Sequence, residues 1–221
     1  MRAHGPARGR RIALTLDDGP GGYTAAILRT LKRLRARATF FVIGSQVAER
    51  AALLRRELRQ GSEIGNHTWS HTVQSPRRQL RATSAVIRRA TGFEPCLSRP
   101  PYGDARPSFV AAARRLGMST VEWDVDPRDW TAPGATAIVK RVMAGAHPGA
   151  IVVMHDGGGP RGGTLTALPR IIRGLRRRGY RLVTVSELLG GRPQLDPPLL
   201  HHRPRVRASG HAGRGRGHGG R

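Results

Sequence analysis

Ile12-Ala13-Leu14-Thr15-Leu16-Asp17-Asp18-Gly19-Pro20 is a short apolar run that ends abruptly in two carboxylates and a Gly-Pro breaker. Such a run reads as a buried strand, and the breaker sets its end. Six more β-branched or apolar runs follow, at 39–43, 62–65, 96–99, 119–123, 151–155 and 181–185. Segments of helical period separate them, at 24–34, 47–59, 77–91, 108–116, 136–144 and 168–178. Gly61, Gly92, Gly117 and Gly179 stand where a helix C-cap favours glycine. Strands alternating with helices predict an α/β fold with a parallel sheet. A closed barrel of eight units typically takes about 250 residues, and this chain has 221. The expectation is therefore a single domain forming a distorted or incomplete (β/α) barrel with about seven parallel strands.

Consecutive side chains on a regular strand point to opposite faces, so Asp17 and Asp18 share a pocket only where the pleat breaks. Gly19-Pro20 is such a break. Further along, Asn66-His67-Thr68-Trp69-Ser70-His71 supplies two imidazoles four residues apart; on a helical turn they would project to one side. One carboxylate and two imidazoles around a tetrahedral ion leave a fourth position open, the arrangement of a catalytic rather than a structural metal site. Taken singly, each motif has an ordinary reading: a solvated Asp-Asp-Gly-Pro turn, a pair of surface histidines, a core tryptophan at Trp69.

Charge and cysteine content narrow the field. Lys and Arg total 39 against 14 Asp and Glu, a net charge of +25, and all but Lys32 and Lys140 of the basic residues are arginine. A chain of this kind adheres to polyanions, which keeps a polyanion- or nucleic-acid-binding protein as the runner-up reading. Cys96 is the only cysteine, so an internal disulfide framework and a cysteine-built zinc site are excluded. Residues 1–10 read as a basic extension, 11–190 as the domain, and 191–221 as a disordered basic tail rich in Gly, Arg, His and Pro. No signal peptide is visible at the start of the chain, and no run of about 18 apolar residues exists to span a membrane.

Five ordered blocks resemble the polysaccharide deacetylases that share the NodB homology domain, also called carbohydrate esterase family 4. They are Thr-Leu-Asp-Asp-Gly-Pro at 15–20, Asn-His-Thr-Trp-Ser-His at 66–71, Arg-Pro-Pro-Tyr-Gly at 99–103, Asp-Val-Asp-Pro-Arg-Asp-Trp at 124–130 and Val-Val-Met-His-Asp at 152–156. The resemblance implies a metal-dependent hydrolase that removes N-acetyl, or alternatively O-acetyl, groups from peptidoglycan, chitin or a related N-acetylglucosamine polymer. It implies Asp17 as catalytic base and Asp18, His67 and His71 as ligands of one divalent ion, zinc before cobalt or manganese. By the same resemblance Arg99 holds Asp17, His155 is the catalytic acid and Asp126 pairs with it. Tyr102, Pro101, Trp130 and Val153 line the substrate pocket. The family implies a glycan partner in the cell wall or outside the cell; separately, the charge of the basic tail suggests an anionic wall polymer as its partner. Leu16 stands where the family often has Phe, and Ser98 where an aromatic is usual; both change packing and remove no reacting group.

Overall fold

The structure, a computed structural model, describes residues 1–7 and 9–191. The expected tail lies outside the described residues from position 192 onward. Seven strands form one sheet: β1 (Arg11–Gly19), β2 (Thr39–Val42), β3 (Glu63–Asn66), β4 (Leu97–Ser98), β5 (Ser119–Thr120), β6 (Ile151–His155) and β7 (Arg181–Val183). They run in the order β5-β4-β3-β2-β1-β6, every pairing is parallel, and β7 pairs with the first part of β1 at Arg11–Ala13. Seven helices complete the fold: α1 (Thr24–Arg33), α2 (Ala51–Arg59), α3 (Pro76–Thr91), α4 (Pro107–Arg115), α5 (Ala135–Gly145), α6 (Gly162–Arg177) and α7 (Val185–Leu188).

The ladder is open between β5 and β6. Beyond β5 the chain bends at Asp124 and meets β6 through a single parallel bridge, Val125 to Val152, with the Val153 N–H donating to the Val125 carbonyl at 3.0 Å. This crossing makes the sheet a distorted barrel. At the N-terminus Arg2 forms a similar bridge to Val121, so the first residues lie along the same edge.

Alternation along the strands sorts the core into two shells. Ile12, Leu14 and Leu16 of β1, Phe40 and Val42 of β2, Ile64 of β3 and Val152 and Met154 of β6 face the helices. Against them pack the i, i+3, i+4 stripes of the helices, such as Ala167, Leu168, Ile171, Ile172 and Leu175 of α6. The opposite set, Ala13, Phe41, Leu97, Val121 and Ile151, fills the barrel, and Val185 and Leu188 of α7 join it. There the Val185 N–H donates to Thr39 Oγ1 and the Ser186 N–H to Glu63 Oε2. On β1 the inward positions continue through Thr15 to Asp17, and on β6 through Val153 to His155. Register places Asp17 beside His155, so the pleat itself brings these two groups to one end of the barrel.

Glycine at 65 is required by a close approach. A Cβ there would stand 2.5 Å from Cδ1 and Cε1 of the Phe41 ring, whose face carries the Arg99 guanidinium at 4.1 Å. Gly65→Ala is expected to destabilise the domain by about 1–3 kcal/mol through overpacking, read as a lower urea midpoint at unchanged m. An unaltered midpoint would mean that Phe41 has room to move.

Candidate active site

β1 does not stop at Leu16. It runs through Asp18, where φ is 69° and the register against β2 shifts between Asp17 and Gly19. This bulge is the break in the pleat that lets neighbouring carboxylates share one cleft. Several contacts hold the turn. Gln46 Nε2 donates to the Asp18 carbonyl at 3.2 Å, the Asp156 N–H donates to the Asp17 carbonyl at 3.1 Å, and the Thr24 hydroxyl donates to Asp156 Oδ2 behind it. A Cβ on Gly157 would collide with the Asp18 carbonyl. Arg161 fixes that glycine loop by donating to the carbonyls of Gly157 and Gly158 at 2.8 and 3.0 Å.

His67 and His71 do not sit on a helical turn, as their spacing suggested. The segment from His67 to Ser75 is irregular, with Thr68 at φ 69° and His71 at φ 54° turning the chain back on itself. Non-glycine residues in that region carry strain that the surrounding structure must hold. Here it brings the two rings to 5.0 Å between centroids. The two Nε2 atoms lie 3.5 and 3.2 Å from Asp18 Oδ1, which is buried and has no hydrogen-bond partner among the described residues. His67 Nδ1 lies 2.8 Å from the Arg99 carbonyl; a proton on Nδ1 donated there leaves the Nε2 lone pair aimed at Asp18, as ligating imidazoles require. Burial alone would raise the Asp18 pKa, but the neighbouring imidazoles of His67, His71 and His155 outweigh it and bring it down to about 2. Burial, reinforced by His67, depresses His71. An ionised carboxylate with neutral imidazoles is the protonation state a divalent ion binds. The three donors fall within 4.8 Å of one another, and the set fits such an ion.

Asp17 lies beside this triad, with Oδ2 4.0 Å from His67 Nε2. Its Oδ1 accepts from Arg99 Nη1 at 2.8 Å. Arg99 is fully buried and spends three of its four other N–H donors on fixed acceptors: Thr15 Oγ1 at 2.7 Å and the carbonyls of Val121 and Glu122 at 3.2 and 3.0 Å. Its plane is stacked between Phe41 and Trp123. A guanidinium so constrained fixes the carboxylate geometry.

Across the cleft, His155 closes β6. The carboxylate on its Nδ1 belongs to Asp129, at 2.7 Å, and not to Asp126 as the sequence suggested. Asp129 is buried, and its Oδ2 also accepts from the His155 N–H at 2.9 Å and from Thr164 Oγ1 at 2.6 Å. Asp126 lines the cleft, and its Oδ1 accepts from the Arg128 N–H, holding the turn that leads to Asp129. Burial disfavours a charged His155, but the hydrogen bond and charge of Asp129, with Asp17 and Asp18, outweigh it and raise the pKa above the ordinary imidazole value.

These groups surround one cleft of about 410 Å³, walled by Pro100, Tyr102, Trp123, Trp130 and Val153. Pro101 is buried behind the wall and opens the short turn that presents Tyr102 at φ 60°. His147 is not among the residues that line this cleft and instead pairs with Asp124 at 2.9 Å.

A carboxylate clamped by an arginine, an imidazole clamped by a carboxylate and a three-residue donor set at the strand ends of a parallel barrel define a hydrolytic enzyme. Residues 4–121 match the polysaccharide deacetylase family model. The peptidoglycan-N-acetylglucosamine deacetylase of Bacillus cereus is 41% identical over 192 residues, 83% of this chain and 90% of that protein. A chitooligosaccharide deacetylase of Bradyrhizobium is 36% identical over 207 residues, 85% of this chain and 94% of its own. In Listeria monocytogenes the peptidoglycan-N-acetylglucosamine deacetylase PgdA is 38% identical, and the match spans 40% of its length. Among solved structures, a peptidoglycan N-acetylglucosamine deacetylase crystallised with a naphthalenyl N-oxidanyl-benzamide superposes with a TM-score of 0.83. It is 31% identical, and the match covers 87% of this chain and 94% of that one. The chain belongs to the polysaccharide deacetylase family.

Proposed function

We propose that the protein is a metal-dependent deacetylase that hydrolyses N-acetyl groups on a cell-wall glycan containing N-acetylglucosamine. The observation that carries the reading is the single cleft in which Asp17 and His155 stand on either side of the Asp18, His67 and His71 donor set. A divalent ion held by those three, zinc before cobalt or manganese, would supply a Lewis acid for the acetyl carbonyl and lower the pKa of water towards about 7. Asp17, oriented by Arg99, takes the proton of the attacking water. The backbone N–H of Tyr102 is offered to the oxyanion as it forms. His155 gives its proton to the departing nitrogen, which without it is a poor leaving group. Val153 and Trp130 enclose the acetyl methyl. A polyanion-binding role alone leaves the paired carboxylates and imidazoles without a task.

The test is acetate release from peptidoglycan, chitooligosaccharides and acetylated xylan, with and without chelator. The expected result is release from an N-acetylated glycan that chelator abolishes and added metal restores. Release from none of the three, or release indifferent to chelator, overturns the reading.

The His155 pair adds a pH prediction. Because His155 titrates above the ordinary imidazole value, its acid form persists to higher pH than that of an ordinary imidazole and is lost as pH rises through the raised pKa. Asp129→Asn removes the main raising influence and leaves burial to favour the neutral ring. The alkaline limb of kcat/KM is therefore expected to move to lower pH, with activity at neutral pH down roughly 10- to 100-fold as general-acid assistance weakens. An unmoved alkaline limb would assign that limb to another group.

A further inference from the structure

A cluster of four arginines on the described surface lies outside the active cleft. Between α3 and α4 runs a second cleft of about 590 Å³, lined by Arg77, Arg78, Arg81 and Arg115 with Ser75 and Ser108 at one end. The four arginines are exposed, no carboxylate lines the cleft, and none of the four guanidiniums is paired with an acid among the described residues. A few arginines elsewhere on the surface do find acids, as Arg88 finds Glu94 at 3.0 Å and Arg37 finds Glu187 at 2.7 Å. Like charges gathered in one groove repel unless something anionic lies between them.

This cleft is reached from the active-site end of the fold through the start of α3. α3 and α4 follow β3 and β4, so both helices begin at the C-terminal edge of the sheet, where the site stands. A third cleft, about 470 Å³, shares Ser75 and Arg78 with the arginine groove and reaches Trp69, which lies between His67 and His71 in the chain. The Trp69 indole is 37% exposed. It is seated against Gly44, where a Cβ would stand 2.7 Å from Cε3. The N–H groups of Trp69 and Ser70 donate to Gln79 Oε1 at 2.8 and 3.0 Å. A fixed, half-exposed indole is a surface on which a pyranose ring can lie.

We infer that the groove from Trp69 to Arg115 binds the continuing glycan strand, with a sugar ring on Trp69 and carboxylates of the strand's substituents on Arg77, Arg78, Arg81 and Arg115. The substrate is then an acid-bearing N-acetylated glycan, as peptidoglycan is through its peptide stems, in preference to neutral chitooligosaccharide. Guanidinium pairs with carboxylate in a planar fork, and a neutral glycan offers nothing to four of them. The inference rests on the deacetylase reading for its substrate.

The test compares the full chain with the triple variant Arg77→Gln/Arg81→Gln/Arg115→Gln. Its kcat/KM is expected to fall about tenfold on peptidoglycan fragments that retain their stems, the sum of three modest exposed ion pairs, and to hold on chitohexaose. A second arm reads binding alone: cosedimentation of chelator-treated protein with intact peptidoglycan, with peptidoglycan stripped of wall phosphopolymers, and with chitin. Wild type is expected to bind both peptidoglycan samples more than chitin, less so at high salt, and the variant to lose that preference. Equal losses on both substrates, or no loss on peptidoglycan, overturn the inference. Binding that disappears with the phosphopolymers overturns it in favour of a phosphate ligand. If wild type releases no acetate from any glycan, the deacetylase reading fails, and the binding arm still judges the groove.

Discussion

Asp18→Ala and His71→Ala are each expected to lose bound metal and hydrolysis together. Asp18 Oδ1 is buried and unpartnered, 3.2 and 3.5 Å from two imidazole nitrogens, and leaving a buried oxygen unsatisfied costs about 1–3 kcal/mol. A cation satisfies all three atoms at once. Each ligand sits on a residue in the left-handed region or next to one, Asp18 and His71 themselves and Thr68 beside His67. Alanine at 18 or 71 removes one donor of three. A two-donor remnant holds a divalent ion far more weakly, so dialysed protein should go from stoichiometric metal to little or none by elemental analysis. Acetate release should fall below detection and return only partly with excess metal. Metal-free variants that turn over at the wild-type rate would remove the ion from the mechanism. Because Asp18→Ala also takes a charge out of a crowded polar cluster, its unfolding midpoint should change less than its activity. That separates loss of the site from loss of the fold.

The barrel was legible in the chain because its strands are runs of apolar residues ended by breakers; β6 was expected at 151–155 and forms there. The two shortest strands were expected longer. Arg99 keeps a backbone bond to the Asn66 carbonyl at 2.9 Å and Val121 a lone bridge to Arg2, pairings too sparse to extend the strands and not encoded in local composition. α6 begins at Gly162, six residues before the expected start. Two glycines and the internal Pro169 disguise it, although the stripe from Thr164 to Leu175 runs straight through. α7 has only four residues, too few for periodicity to register, yet its capping box at Thr184 and Glu187 is written in the chain. At the site, the difficulty lay with acids that are close together in sequence. Asp124, Asp126 and Asp129 differ little as local sequence; burial beneath Thr164 of α6 is what gives Asp129 to His155. Likewise the spacing of His67 and His71 identified the pair but not the turn, since positive φ at Thr68 and His71 is a tertiary imposition on residues that would otherwise avoid it.

Asp17→Asn should keep the metal and lose the chemistry. The substitution keeps the shape, and the Asn carbonyl oxygen can still accept from Arg99 Nη1, which Asp17 Oδ1 receives at 2.8 Å. What disappears is a group able to take a proton in the cleft. Loss of general-base assistance is worth about 10²–10⁴ in rate, and kcat is expected to fall by that factor while KM and metal content change little. The buried Arg99 loses its counter-charge, but Thr15 Oγ1 and the carbonyls of Val121 and Glu122 still accept from it. The stability cost should therefore stay below the roughly 3–5 kcal/mol of an abandoned buried charge. The opposite exchange, Arg99→Met, leaves Asp17 without its cation and should reach that larger cost. The two variants thus divide the pair: one reports mainly in kcat, the other mainly in unfolding. If Asp17→Asn retained turnover within a few-fold of wild type, the proton would have to go elsewhere, and the remaining candidate in the cleft is Asp126, which lines it without a basic partner on its Oδ2 among the described residues. The double variant Asp17→Asn/Asp126→Asn would then show the collapse that the single one did not.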